Sequence, residues 1–170
     1  TEDSDGINWI KIGDTKDINK YIYRTKEKIK PEGVKYSREV KEGDFILSNS
    51  MSFGKPYIMK TSGCIHDGWL LLRRKDNSIS EDYLYTVLSS DFIYKFFQKE
   101  TIGGVVENLN IELVKKVRIP VPPLNIQMDV SEKLDTAIFE KEELEKKAEL
   151  VLRNAKKDIE LILLGEDDEI

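Results

Sequence analysis

Cysteine and histidine are nearly missing from this sequence of 170 residues. One of each is present, Cys64 and His66. A lone cysteine cannot close an internal disulfide, which fits a reducing cytoplasm. One Cys and one His cannot by themselves build a zinc site, so no metal centre is expected. No apolar run reaches the roughly 18 residues a membrane span needs. The acidic opening Thr1-Glu2-Asp3-Ser4-Asp5 does not read as a secretory leader. No glycine-rich loop ends in Lys-Ser or Lys-Thr, so nucleotide hydrolysis is not implied. The one double proline, Val121-Pro122-Pro123-Leu124, lacks the Asn or Asp and the aromatic ring of an adenine-methyltransferase motif.

Positive charge is in deficit overall, with a net charge of −5, but the deficit is local. Residues 126–170 carry 7 Lys/Arg against 14 Asp/Glu, whereas residues 11–75 carry 15 against 8. A basic module is joined to an acidic one. At physiological salt the Debye length is about 8 Å, so the distant acidic end does not cancel the basic zone. Such a zone suits phosphate; it also suits an ordinary mixed surface.

Hydrophobic periodicity divides the chain at about residue 125. Short β-favouring runs occur at 9–12, 45–47, 56–59 and 69–72. They are separated by turn signals at Glu42-Gly43-Asp44, Ser62-Gly63 and Asp67-Gly68. Successive leucines at 70–72 predict a strand covered on both faces. Ser80 reads as the N-cap of a helix, and a second helix from Ser90-Asp91 is expected to bury Phe92, Phe96 and Phe97. Thr101-Ile102-Gly103-Gly104 breaks it. Asn110 caps a short turn through Lys116, and residues 117–121 read as an edge-like strand closed by two prolines.

Beyond lies one long helix over 126–164, capped by Asn125, stopped by Gly165 and roughly 58 Å long at about 1.5 Å per residue. Val130, Leu134, Ala137, Leu144, Ala148, Val151 and Ala155 follow a heptad frame, interrupted by Lys141; Ile159, Ile162 and Leu163 continue one residue out of register. A helix of that length needs a partner helix. The expected partner-facing set is Val130, Leu134, Leu144, Val151, Ile159 and Ile162. Residues 165–170 form an acidic, solvated tail.

Several segments carry chemistry. In Ile46 to Ile58, four short polar side chains (Ser48, Asn49, Ser50, Ser52) precede Gly54 and Lys55. Ser and Asn can both donate and accept at base edges, and Lys55 can reach phosphate. The same residues equally suit a loop that caps its own backbone. In Gly63 to Trp69, Asp67 can orient His66 and Trp69 can anchor the next strand. A Cys64–His66 nucleophile pair is conceivable there, against the plainer reading of a buried thiol and a hydrogen-bonded histidine. Glu39-Val40-Lys41 matches a nuclease fragment too common to weigh. Gly103 to Asn110 reads as a flexible loop or as a helix end and cap.

Taken in order, the segments at 9–14, 43–50, 53–58, 63–69, 103–110 and 119–124, followed by Gln127, resemble the specificity subunits of type I restriction-modification enzymes. The resemblance covers nearly the whole chain. It implies an α/β (α+β) target-recognition domain with a mixed, strand-rich core at 1–125, followed by one long coiled-coil helix. In that family two such domains read two halves of a split DNA target. Their antiparallel helices set the spacing and dock methyltransferase subunits. One recognition domain is present here, and a Gly-Thr-Pro-Ser type stretch is missing. The chain is thus an excised half, a half-length subunit that dimerises, or a domain of a fused enzyme.

The resemblance implies a non-catalytic, cytoplasmic chain without cofactors of its own, S-adenosylmethionine, ATP and Mg²⁺ belonging to partners. The partners are double-stranded DNA, methyltransferase and restriction subunits, and a second copy or second recognition domain. Base readers are expected among Ser48, Asn49, Ser50, Ser52 and His66, or within residues 15–42. Phosphate contacts are expected from Lys28, Lys35, Arg38, Lys55, Arg73 and Arg74. The competing readings are a coiled-coil interaction module with a globular head, and a small hydrolase using Cys64 or His66.

Overall fold

A computed structural model of the chain describes residues 6–16, 18–49, 54–102 and 108–164; the side chains of 100–102 are outside that description. The chain divides into two compact units, Thr1–Met128 and Asp129–Ile170.

In the first unit, the described residues form two four-stranded sheets. β1 (Ile7–Ile10), β3 (Glu27–Ile29), β4 (Arg38–Val40) and β7 (Gly63–Ile65) pair in the order β3-β1-β7-β4. β2 (Tyr21–Ile22), β5 (Phe45–Ser48), β6 (Pro56–Met59) and β8 (Trp69–Leu72) pair as β2-β6-β5-β8. The β1–β7 and β2–β6 pairs are parallel and the others antiparallel. The mixed, strand-rich core expected from sequence is therefore present, followed by a long helix.

Alternation along the strands explains the layering. In β5, Ile46 enters a core shared by both sheets, with Ile10, Val40 and Ile65 from one and Ile22, Tyr57, Met59 and Trp69 from the other. Its neighbour Leu47 enters a second core with Ile93, Phe97, Leu109 and Leu113. Period-two side chains must face opposite sides of a sheet, so β5 lies between two cores. β8 does the same: Leu71 packs on the first core, Leu70 and Leu72 on the second. The apolar run at 70–72 is covered on both faces as its sequence implied.

The second core is roofed by α1 (Glu81–Leu88), α2 (Asp91–Ile102) and α3 (Ile111–Lys116). The caps expected from sequence form: Ser80 accepts from the Tyr83 amide and Asn110 from the Leu113 amide. Among the described residues, two backbone positions need glycine. Gly43 and Gly54 have φ of 82° and 72°, and a β-carbon at Gly54 would also press on the Phe97 ring.

Some elements differ from expectation. Residues 117–121 form no strand; Pro120, Pro122 and Pro123 lack the N–H a ladder needs, and Val117 and Ile119 pack on the second core as an extended segment instead. Phe92 is 70% exposed, because α2 turns its Ile93–Phe97 face inward, four residues apart. β1 spans 7–10, and Ile12–Thr15 curls into a 3-10 turn held by Asp14. The segment 15–42, featureless to pattern reading, contributes β2, β3, β4 and a second 3-10 turn at Pro31–Tyr36.

α4 (Leu124–Leu164) starts earlier than Asn125 could cap it; the Pro123 carbonyl accepts the Ile126 and Gln127 amides. Gln127, fully buried, fastens the first turn of α4. Its Oε1 accepts from the Ser80 amide at 2.8 Å, and its Nε2 donates to the Ser78 and Pro122 carbonyls, each at 2.8 Å. Gln127→Leu keeps the volume but orphans three backbone groups. At about 1–3 kcal/mol for a buried unpaired group, partly relieved by water, a loss of roughly 2–4 kcal/mol is expected in urea unfolding. A change under about 0.5 kcal/mol would mean that water replaces the amide fully.

Within the second unit, Leu144, Val151, Ile159 and Ile162 are all more than half exposed. Lys141, which breaks the heptad stripe, pairs with Glu145 one turn on, at 3.0 Å. Among the described residues no helix is long and apolar enough to cross a membrane.

Candidate nucleic-acid interface

The basic residues of 11–75 separate into two groups by what they touch. One group is engaged within the protein. Lys11 pairs with Glu27 at 2.7 Å, Lys20 with Asp82 at 2.9 Å and Lys60 with Glu81 at 2.6 Å. Arg73 forks onto the buried Asp44 carboxylate at 2.8 and 2.9 Å and also donates to the Glu39 carbonyl. The Asp44 hydrogen bond holds the Arg73 guanidinium above its ordinary pKa, and the Glu81 hydrogen bond does the same for the Lys60 ammonium. Arg74 donates to the Ile79 carbonyl and lies 3.9 Å from Glu81. Burial would raise the Asp82 carboxyl, yet hydrogen bonds from Lys20 and Tyr21 bring it below the usual range. Arg73 and Arg74, expected at phosphate, are thus already engaged with groups of this chain, although Arg73 stays half exposed.

The second group faces open surface. Lys35 and Arg38 are exposed and line a concavity of about 750 Å³ together with Trp9, Tyr36, His66 and Trp69. The 3-10 turn 31–36 and strand β4 bring in the first two cations; β7 and the turn after it bring in His66. Tyr36 is 83% exposed, with the Lys35 ammonium 4.8 Å from its ring centre. Lys28 lines a neighbouring concavity of about 460 Å³ with Asn8, Val34, Glu39 and Ser62.

His66 is fixed by its backbone. Its Nδ1 accepts from the Gly68 amide at 2.8 Å, and its ring lies 6.0 Å from Trp9 and 6.4 Å from Trp69. An accepting Nδ1 leaves the proton of the neutral ring on Nε2. Asp67 Oδ1 lies 3.5 Å from Nδ1 on a fully exposed carboxylate. That contact is not an ion pair while the Gly68 amide occupies Nδ1. The glycine, not Asp67, orients this histidine, and a β-carbon at 68 would overlap its ring. Cys64 is fully buried in β7, and no hydrogen bond links it to His66 among the described residues, so the nucleophile pair is not assembled.

Of the 46–58 readers, Ser50 and Ser52 lie outside the described residues. Ser48 is buried, its amide and carbonyl engaged with Lys55 and Gly54. Asn49 is a hub: it donates Nδ2–H to the Asp67 carbonyl at 2.7 Å, its amide bonds the Gly68 carbonyl and its carbonyl accepts the Leu109 amide. It holds the 66–68 turn against β5. Lys55 is exposed, 3.4 Å from the Ile18 carbonyl and 5.2 Å from the Tyr57 ring centre. Glu39 and Lys41 flank the buried Val40 on β4, and among the described residues no group of three Asp, Glu, His or Cys is placed to hold a metal ion.

Sequence reasoning offered 15–42 and 48–69 as rival readers. The structure puts Lys35 and Arg38 of the first into one concavity with His66 of the second. Trp9 and Tyr36 were missed as site residues. Trp9 opens the 9–14 segment, which was read only as a strand and as part of the family resemblance, and Tyr36 has no motif around it; two aromatics near a cationic stretch are the signal that would have found them.

The described fold resembles two solved structures. The HsdS subunit from Thermoanaerobacter tengcongensis matches with a TM-score of 0.61 at 18% identity, over 82% of this chain and 32% of that one. A chain from a structure addressing complex assembly and conformational transition of the type I R-M system matches with a TM-score of 0.59 at 19% identity, over 96% of this chain and 37% of that one. This chain thus spans about a third of the length of the chains it matches. Residues 1–153 match the family model described as "Type I restriction modification DNA specificity domain". On that match the chain belongs to the family of type I restriction-modification DNA specificity domains.

Proposed function

We propose that this chain is a non-catalytic DNA-recognition module acting in the cytoplasm, in which residues 1–125 read one half of a bipartite duplex target. The observation that carries this reading is the concavity where Lys35 and Arg38 stand beside Tyr36, Trp9 and a tautomer-fixed His66. Lys35 positions the backbone of the duplex, and Arg38 offers a fork suited to a guanine edge. The Nε2–H of His66 is a donor suited to the acceptors on purines or thymine in the major groove. Residues 126–164 form a spacer helix that pairs, through Val130, Leu134, Leu144, Val151, Ile159 and Ile162, with a second copy or a second recognition domain. Methyltransferase and restriction subunits dock on the assembly and bring S-adenosylmethionine, ATP and Mg²⁺; this chain binds none of them.

The test is selection from a pool of randomised duplexes by the full chain with its methyltransferase partner, followed by methylation mapping. Enrichment of one short motif that becomes methylated is expected. Retention without enrichment, or no retention at low salt, would sink the reading in favour of an interaction module with a globular head.

A further inference from the structure

A second basic concavity lies apart from the one that His66 lines. It has a volume of about 430 Å³ and is lined by Asp14, Lys16, Ile18, Arg24 and Lys26 among others. Its carboxylate is turned inward. Asp14 Oδ2 accepts the Lys11 amide at 2.9 Å and Oδ1 the Lys26 amide at 3.1 Å, so Asp14 fixes the backbone under Lys26. Lys16, Arg24 and Lys26 are exposed and make no ion pair among the described residues. That sets them apart from Lys11, Lys20, Lys60 and Arg73, each closed onto a carboxylate. A fourth cation borders the site: the Lys55 ammonium is 3.4 Å from the carbonyl of Ile18, which lines it.

The two concavities are tied together through the β5–β6 ends. Asn49 bonds the Asp67 and Gly68 backbone beside His66, Ser48 bonds Lys55, and Lys55 reaches Ile18. We infer that Lys16, Arg24 and Lys26, with Lys55 at the rim, form a phosphodiester clamp that grips the DNA backbone without reading bases. This rests on the DNA-recognition reading and adds a site to it. Uncompensated cations spaced around a recess meet a phosphate run by releasing its counterions, which makes the contact salt-dependent and sequence-independent.

The experiment measures binding of the full chain to a mixed-sequence duplex across a salt series. It compares the unaltered protein with Lys16→Gln/Arg24→Gln/Lys26→Gln and with a charge-matched control, Lys75→Gln/Lys95→Gln/Lys99→Gln. Lys95 and Lys99 lie on α2, which covers the opposite face of the β2-β6-β5-β8 sheet. Each lost phosphate contact lowers the slope of log K against log salt by roughly 0.9. The clamp variant should therefore lose about 2 to 3 from the slope and the control well under 1. All altered side chains are exposed, so circular dichroism should be unchanged. An unaltered slope in the clamp variant, or an equal drop in the control, overturns the clamp while leaving DNA recognition standing. No binding of the unaltered chain even at low salt overturns both.

Discussion

Trp69→Ala is expected to destabilise the first unit by about 3–5 kcal/mol, the usual range for emptying a buried large aromatic site. Trp69 is 2% exposed in β8, yet its indole Nε1 donates across to the Ile10 carbonyl of β1 at 3.2 Å. It is thus a side chain of one sheet bonded to the backbone of the other. Its ring meets Tyr57 of β6 edge-on at 5.8 Å. Truncation would open a void in the core between the sheets and remove the indole donor. Trp69→Phe separates the two effects: most of the ring area stays, the donor goes, and a cost of roughly 1–3 kcal/mol is expected. Urea unfolding with unchanged m-values would report both. A loss below about 1 kcal/mol for Trp69→Ala would mean that the sheets are held together elsewhere. Because Trp69 also lines the Lys35–Arg38–His66 concavity, a variant that survives should recognise its target less well at temperatures far below its unfolding midpoint.

What could be read in the sequence was what local chemistry decides. Ser80 and Asn110 cap helices because a short oxygen-bearing side chain before an apolar periodic stretch has one efficient use. The strands at 45–48, 56–59 and 69–72 were visible because continuous apolar runs bounded by Gly and Asp leave little choice. The strands of 15–42 were not. β2, β3 and β4 are two or three residues long and owe their conformation to partners far away in sequence, such as Lys28 opposite Asn8 and Arg38 opposite Ile65. The same limit applies to the site. Charge counting found the basic zone but could not tell Arg73, spent on the buried Asp44, from Arg38, which makes no ion pair among the described residues. Composition cannot show which carboxylate a cation will meet.

Arg38→Ala and His66→Ala should each lower discrimination between a selected duplex and a scrambled one by about 1–3 kcal/mol, the range for a well-placed base contact. Every 1.4 kcal/mol is about tenfold in preference. Together they should reduce it by roughly 30-fold or more, with a coupling of at least about 0.5 kcal/mol because both line one recess. Competition binding at two salt concentrations provides the measurement. Salt also decides the role of each residue. If Arg38→Ala weakens both duplexes equally and lowers the salt slope by about 0.9, Arg38 holds a phosphate and His66 reads the base alone. Arg73→Ala serves as the contrast. It leaves the Asp44 carboxylate without its guanidinium partner, so it should lower the unfolding midpoint while the preference measured on folded protein stays the same. Full discrimination in the Arg38/His66 double variant would remove this concavity as the reading site. Readout would then fall to Ser50 and Ser52.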